Sequence, residues 1–220
     1  MTPAEEDYLK AIYYLDKGDN RTVSTNAIAE RMATKPASVT DMVKKLAKKD
    51  WVDHRMYKGV RLTEKGRSFA LSIIRKQHLW EVFLVQKLNF SLDAAPRIAE
   101  HLKHIKSLEL IDKLEGHLGF PQLAPSGEPI PSKEGRFKNA IKKLLSDLPV
   151  GASGICTAVK DSSPAFLKFL EKNRIGIGNS IRILDKEEFD GSLGIQIDTR
   201  EIRISEQMAS NIYLDFVEDN

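Results

Sequence analysis

The sequence is poor in cysteine and has no long apolar run. Its one cysteine, Cys156, excludes an internal disulfide and a cysteine-rich zinc site, and its largely apolar surroundings predict a small buried core residue. No apolar run approaches the length needed to span a bilayer. The N-terminal residues MTPAEEDYLK are acidic and helix-like, whereas a signal peptide would begin basic and continue apolar. We therefore expect a cytoplasmic protein with no membrane partner.

Motifs of common enzyme classes are also missing. There is no phosphate-binding glycine loop, no nucleophile with a base at an interpretable spacing and no zinc motif. We therefore expect neither an enzyme nor a small-molecule substrate. The chain of 220 residues, 41% hydrophobic and 30% charged, has the composition of a folded globular protein with one large domain or two small ones.

Charge is distributed unevenly along the chain. Residues 21–66 contain eleven Lys and Arg against five Asp and Glu, whereas residues 151–220 contain eight against twelve. This asymmetry indicates different partners for the two ends. The excess of cations near the N-terminus favours a polyanion such as DNA.

Residues 23–66 predict a DNA-binding winged helix. A short helix over residues 26–32 is followed by a turn, and Pro36 opens a second helix with apolar residues at helical spacing. Two strand-like runs, residues 51–56 and 60–62, then flank a glycine-containing turn that is typical of a wing. The second helix is the candidate reader of the DNA major groove.

The candidate DNA-binding residues fall into two classes. Short side chains in the first turns of the second helix can approach base edges, and the cations of the helix and wing can neutralise phosphates. A lysine run alone is more often a solvated helix face, but the adjoining wing favours DNA. The candidates are Pro36, Ala37, Ser38, Thr40, Asp41, Lys44, Lys45, Lys48, Arg55, Lys58 and Arg61.

A helical block and a β-rich region make up the rest of the chain. Residues 2–5 have the spacing of a capping box and predict a first helix carrying Tyr8, Ile12 and Leu15 on one face. Further helices are predicted over residues 66–88, 91–106 and 108–117, with enough apolar surface to dimerise. Proline and glycine mark residues 119–135 as a connection. The remaining predictions are a short amphipathic piece over residues 137–145, strands around residues 154–159, 180–184, 193–197 and 201–204, and a helix near residues 164–172.

Four segments resemble the DtxR/MntR family of metal-dependent transcriptional regulators. They are EDYLKAIYYL, PASVTDMVKKL, LTEKG and GEPIP, beginning at residues 6, 36, 62 and 127. The resemblance implies a mainly α fold with small β parts: an N-terminal winged helix-turn-helix (1–65), a helical metal-binding and dimerisation domain (66–120), a linker with a short helix (121–146) and a FeoA-type, SH3-like β-barrel (147–220). It implies a homodimer that binds an inverted-repeat operator in double-stranded DNA. The expected function is repression of metal-uptake genes in response to Mn²⁺ or Fe²⁺.

The family's metal-ligand positions are only partly kept. The resemblance carries them onto Asp7, Glu81, Glu100 and His104, with His78 and His101 as weaker candidates. Carboxylates with imidazole suit octahedral Mn²⁺ or Fe²⁺ better than a tetrahedral zinc site. However, Gln77, Pro96 and Lys103 stand where the family has two histidines and a glutamate.

Three interpretations of these positions remain open. The first is a reduced but working metal site. The second is a metal-independent relative, in which the Lys103 ammonium supplies the positive charge near Asp7 and Glu100 that the ion would bring. In the third, the histidines and carboxylates are solvated or interface residues. A rival from another class is an interaction protein whose working part is the FeoA-like domain.

Overall fold

The structure, a computed structural model, describes residues 1–16, 21–55, 59–137, 143–161 and 163–216. The chain forms two compact units. The first contains residues 1–76, 103–106 and 131–136, and the second contains residues 77–102, 107–130 and 137–220. Each unit has its own apolar core.

The first unit contains the predicted winged helix. Its first helix begins with a complete capping box, in which the Thr2 side chain accepts from the Glu5 backbone and Glu5 accepts from the Thr2 backbone. Ser24 caps the second helix by accepting from the Ala27 backbone. The elements are α1 (Pro3–Leu15), α2 (Thr25–Arg31), α3 (Pro36–Lys48), β1 (Val52–Arg55), β2 (Gly59–Leu62) and the N-terminal half of α4 (Glu64–Leu88).

Apolar residues at helical spacing hold these elements together. Ile12 of α1, Ile28 of α2 and Val43 of α3 are fully buried in one cluster with Val60 of β2. β2 pairs with β1 and also bridges Val23, whose backbone exchanges two hydrogen bonds of 2.8 Å with Val60. The wing is therefore anchored on both sides of β2. The prediction of a winged helix is confirmed.

The helix α5 (Ala94–Leu102) of the second unit differs from the prediction at both ends. α6 (Leu108–His117) has the predicted bounds, but α5 spans Ala94–Leu102 where the sequence predicted residues 91–106. The late start places Pro96 at the third helical position, where its missing N–H has no helical acceptor to lose. The early end leaves His104 in a turn, so the prediction of one helix that carries both Glu100 and His104 is wrong.

The C-terminal region is a six-stranded antiparallel sheet. Its strands are paired in the order β3-β8-β4-β5-β6-β7. Alternate residues of β5 and β6 are buried, which puts one face of the sheet on the core. The elements are β3 (Lys143–Leu144), β4 (Ser153–Val159), α7 (Pro164–Asn173), β5 (Ser180–Lys186), β6 (Leu193–Ile197), β7 (Arg200–Ile204), α8 (Glu206–Ala209) and β8 (Ile212–Phe216).

Two expectations for this region are not met. Among the described strands β3 and β7 are the edges of the sheet and do not pair with each other, so closure into an SH3-like barrel is not confirmed. The predicted amphipathic piece over residues 137–145 falls partly on residues 138–142, which lie outside the described residues, and it continues as β3 and a short 3-10 turn. β3 is a strand because β8, which the sequence pattern did not reveal, supplies its hydrogen-bond partner.

None of the helices that the structure describes is both long enough and apolar enough to cross a membrane.

Candidate nucleic-acid interface and the charged cluster on the first helix

The helix α3 separates a buried apolar face from an exposed polar one. Val39, Val43 and Leu46 are fully buried in the core of the first unit. The opposite face is open along the whole helix, so most of the predicted DNA contacts are available to a ligand. The exposed candidates are Pro36, Ala37, Ser38, Asp41, Lys44, Lys45 and Lys48.

Two residues in the middle of α3 have partners within the helix. The Thr40 hydroxyl donates a hydrogen bond of 3.0 Å to the Pro36 carbonyl, and Thr40 is half-buried. The Asp41 carboxylate lies 3.9 Å from the Lys44 ammonium, with both side chains largely exposed. An exposed pair of this kind contributes little to stability, so both groups can be redirected to a ligand.

Arg61 is the predicted cation of the wing that the structure describes. Arg61 is exposed on β2, opposite Asp53 in the strand register. Arg55 is the last residue of β1, and Lys58 lies outside the described residues. Arg61 therefore provides the described positive charge of the wing.

A second charged feature joins α1 to residues 103–106 within the first unit. The Lys103 side chain is fully buried, and its ammonium nitrogen lies 2.7 Å from an Asp7 carboxylate oxygen. Nδ1 of the neighbouring His104 lies 2.5 Å from Glu6 Oε2, and its Nε2 lies 3.6 Å from Asp7 Oδ1. Both ring nitrogens of His104 therefore face carboxylates of α1.

Lys76 of α4 adds a further buried cation to this cluster. It is 8% exposed, and burial lowers the pKa of its ammonium group. The attraction of Glu6 raises this pKa, whereas the repulsion of Lys103 lowers it. Glu6 and Lys76 were not among the predicted site residues. The available signal was a run of charged residues within otherwise apolar helices, at residues 5–7 and 75–76. We call Glu6, Asp7, Lys76, Lys103 and His104 the α1 charge cluster.

The neighbouring carboxylate of α1 has a separate role. Glu5 accepts a hydrogen bond of 2.5 Å from Lys49, directly after α3. Burial would raise the pKa of Glu5, but the hydrogen bonds from Lys49 and the Thr2 backbone lower the pKa of the carboxyl below its ordinary value. Lys49 also lies over the Trp51 ring, 4.9 Å from its centroid. Glu5 thus ties α1 to the end of the candidate reading helix.

The other predicted metal ligands belong to the second unit. Glu81 is buried and accepts a hydrogen bond of 2.9 Å from Gln77, one turn earlier on α4. His78 is buried, with Nε2 3.3 Å from Glu128 Oε2. Glu100 is half-buried and His101 is exposed.

Three sequence families match consecutive parts of the chain. Residues 1–60 match "Iron dependent repressor, N-terminal DNA binding domain", residues 63–132 match "Iron dependent repressor, metal binding and dimerisation domain", and residues 143–215 match "FeoA domain". An uncharacterized HTH-type transcriptional regulator of Methanocaldococcus jannaschii is 36% identical over 115 residues, covering 52% of this chain and 92% of the relative. The transcriptional regulator MntR of Geobacillus kaustophilus is also 36% identical, over 51% of this chain and 79% of MntR. The chain belongs to the DtxR/MntR family.

Solved structures extend this membership over the full length of the chain. A manganese-dependent transcriptional repressor in complex with manganese is 30% identical, with a TM-score of 0.60 over 97% of this chain and 100% of that chain. The manganese regulator SloR is 33% identical, with a TM-score of 0.56 over 99% and 100%. As a member of the DtxR/MntR family, this chain is a DNA-binding transcriptional regulator.

The residues of this DtxR/MntR member do not fit a divalent ion at Asp7. A protonated lysine has three donors and no acceptor, so Lys103 cannot act as a ligand while it holds its proton beside Asp7. The His104 nitrogens already face Glu6 and Asp7. Throughout the described part of the chain, no three His, Cys, Asp or Glu side chains are grouped so that they could hold a metal ion.

Proposed function

We propose that this chain represses transcription by binding an inverted-repeat operator in double-stranded DNA as a homodimer. The observation that carries the proposal is the exposed polar face of α3, which bears three lysines and lies on the same unit as the wing. Two such helices in a symmetric dimer would read two half-sites on one face of the DNA. Such a regulator acts in the cytoplasm, on the chromosome.

Each part of this surface has a distinct role in the proposal. The first turn of α3, from Pro36 to Ser38, presents short exposed side chains that can approach base edges. Thr40 and Asp41 lie one turn later and would influence sequence preference. Lys44, Lys45, Lys48 and the wing cations would hold phosphates and supply salt-dependent affinity.

Exposed apolar side chains of the second unit support the homodimer. Leu108 is 66% exposed and Phe120 is 62% exposed, at the start of α6 and just beyond its end. Exposed apolar groups of this size are typical of protein interfaces. The family match over residues 63–132, described as a metal-binding and dimerisation domain, includes both of them.

A response to Mn²⁺ or Fe²⁺ is the second candidate property. It is favoured by the likeness to a manganese-dependent repressor over the full chain. The available donors are carboxylates and imidazoles, which suit these ions. The contacts of Lys103 and His104 oppose it at Asp7, and we derive no step of DNA binding through an ion.

Selection from a pool of random duplex DNA tests the proposed function. The protein is incubated with the pool once in chelator and once in MnCl₂, and the retained duplexes are sequenced and footprinted. We expect an inverted repeat, and we expect a promoter containing it to be transcribed less when the protein is added to a purified transcription reaction. If no duplex is enriched under either condition, the DNA proposal fails and the interaction protein with a working FeoA-like domain takes its place.

A further inference from the structure

The α1 charge cluster places a buried ammonium beside Asp7, a position where the family resemblance implies a metal ligand. Lys103 has no exposed surface, and its ammonium lies 2.7 Å from Asp7 Oδ1. A buried ammonium is costly unless carboxylates stabilise it, and its position next to Asp7 is therefore a feature that the surrounding structure maintains. A divalent cation at the same carboxylate would be repelled by this charge strongly enough to lose more than about tenfold in affinity.

His104 contacts the same pair of carboxylates with both of its ring nitrogens. Its Nδ1 lies 2.5 Å from Glu6, and its Nε2 lies 3.6 Å from Asp7. A metal ion bound to either nitrogen would have to displace one of these contacts. Lys103 thus contacts Asp7, and His104 contacts both Glu6 and Asp7.

Basic side chains of this chain already lie beside the carboxylates of the cluster. Lys103 lies beside Asp7, His104 faces both Glu6 and Asp7, and Lys76 is attracted by Glu6. A divalent ion would add two positive charges beside the buried Lys103 and Lys76. Buried charges are stable where they are paired, so the cluster favours the state that it already has.

The cluster also connects residues 103–106 to the helices of the winged helix. Residues 103–106 belong to the same compact unit as the winged helix, and the ion pair between Lys103 and Asp7 connects them directly to α1. α1 is in turn connected to the end of α3 through the hydrogen bond from Lys49 to Glu5. The segment after α5 is therefore attached to the DNA-reading part of the unit through side chains of this chain alone.

We propose that the ammonium group of Lys103 is a built-in cation that takes the place of a divalent ion, so that the first unit is assembled for operator binding in the absence of metal. This inference rests on the proposed function, since it concerns the regulation of operator binding. It separates this chain from its manganese-dependent relatives. Lys103 is a positioning residue that acts through α1 and does not contact DNA.

The test compares operator binding in chelator and in MnCl₂ for four proteins. The probe is the duplex that the wild-type protein selects from the random pool, and affinity is measured by fluorescence anisotropy. Lys103→Glu replaces the cation with a carboxylate, and Lys103→Met removes the charge at similar length. Lys106→Glu is the matched control, because Lys106 is exposed on the same short segment.

The wild-type protein and Lys106→Glu should bind the operator with the same affinity, within about twofold, in chelator and in MnCl₂. Lys103→Glu should lose at least about tenfold in chelator and regain affinity in MnCl₂, because a divalent ion can then neutralise the added carboxylate. Lys103→Met should lose affinity in chelator without the same recovery. Isothermal titration with MnCl₂ gives an independent readout: Lys103→Glu should show a binding event that wild-type protein lacks.

The wild-type comparison does not depend on the folding of any variant. If wild-type protein binds its operator only in MnCl₂, the inference is overturned while the proposed repressor function stands. If Lys103→Glu proves unfolded by circular dichroism, the wild-type and Lys103→Met measurements decide. Failure of every protein to bind duplex DNA under either condition would instead reject the proposed function itself.

Discussion

The ammonium nitrogen of Lys103 lies 2.7 Å from a carboxylate oxygen of Asp7, although the two residues come from distant parts of the sequence. Lys103 is fully buried and Asp7 is 32% exposed on its side chain, so the two partners differ in their access to water. Among the three interpretations that the sequence left open, this contact favours the one in which a lysine stands in place of the ion.

The ion pair should stabilise the first unit. We expect Asp7→Asn to lower the free energy of unfolding by about 3 kcal/mol, because it removes a carboxylate charge that lies 2.7 Å from a buried ammonium. Lys103→Met should cost less, since the partly exposed Asp7 keeps access to water. A double-mutant cycle measured by urea unfolding should give a coupling energy of about 1 to 3 kcal/mol. A coupling near zero would show that the two charges do not interact in solution.

Lys44 should contribute to DNA binding in a sequence-independent way. It is exposed on α3, so Lys44→Ala should weaken binding to specific and random duplexes alike. The slope of log affinity against log salt should fall by about one. The control is Lys172→Ala, which removes an exposed lysine from α7, on the other unit. An unchanged slope for Lys44→Ala would contradict the phosphate contact.

The homodimer should depend on the apolar residues of the helical region. Leu108→Asp places a charge on a side chain that is 66% exposed, and we expect it to shift the protein from dimer to monomer at micromolar concentration. Phe189→Asp is the control, since Phe189 is 96% exposed and follows β5. Light scattering distinguishes the two variants. A monomer produced by Phe189→Asp alone would move the interface to the C-terminal sheet.

Cys156 should be unreactive while the protein is folded. It is buried in β4, and burial raises the pKa of its thiol to about 12. A thiol reagent at pH 8 should label the protein only after denaturation. Because the folded state favours the protonated thiol, the stability from this group is complete below the unfolded pKa and declines between about pH 8.5 and pH 12. Rapid labelling of native protein would contradict the burial.

Local patterns in the sequence were sufficient to predict the winged helix. The capping residues Thr2 and Ser24 and the proline at the start of α3 are start signals that act over a few residues. The apolar residues of α1, α2 and α3 recur at helical spacing, so the buried face of each helix could be identified without knowing its neighbours. The exposed face of α3, with its candidate DNA contacts, followed from the same periodicity.

The end of α5 and the small strand β3 could not be obtained in this way. β3 is a strand because β8 pairs with it, and the pairing joins residues that are far apart in sequence. α5 ends at Leu102, so Lys103 and His104 lie in a turn outside the helix. A helical periodicity extrapolated through that region wrongly placed His104 on the same helix as Glu100.

The sequence by itself determined which residues of this protein bear charge near α1, and tertiary structure decided what those charges do. The sequence around Lys103 is the same whether its side chain lies in water or in a core, so the sequence alone does not reveal its burial. Only packing of residues 103–106 with α1 removes its ammonium from water and brings it to Asp7. A buried ammonium is costly in free energy unless a carboxylate lies beside it, so burial makes the contact with Asp7 necessary. A local sequence pattern does not contain this burial.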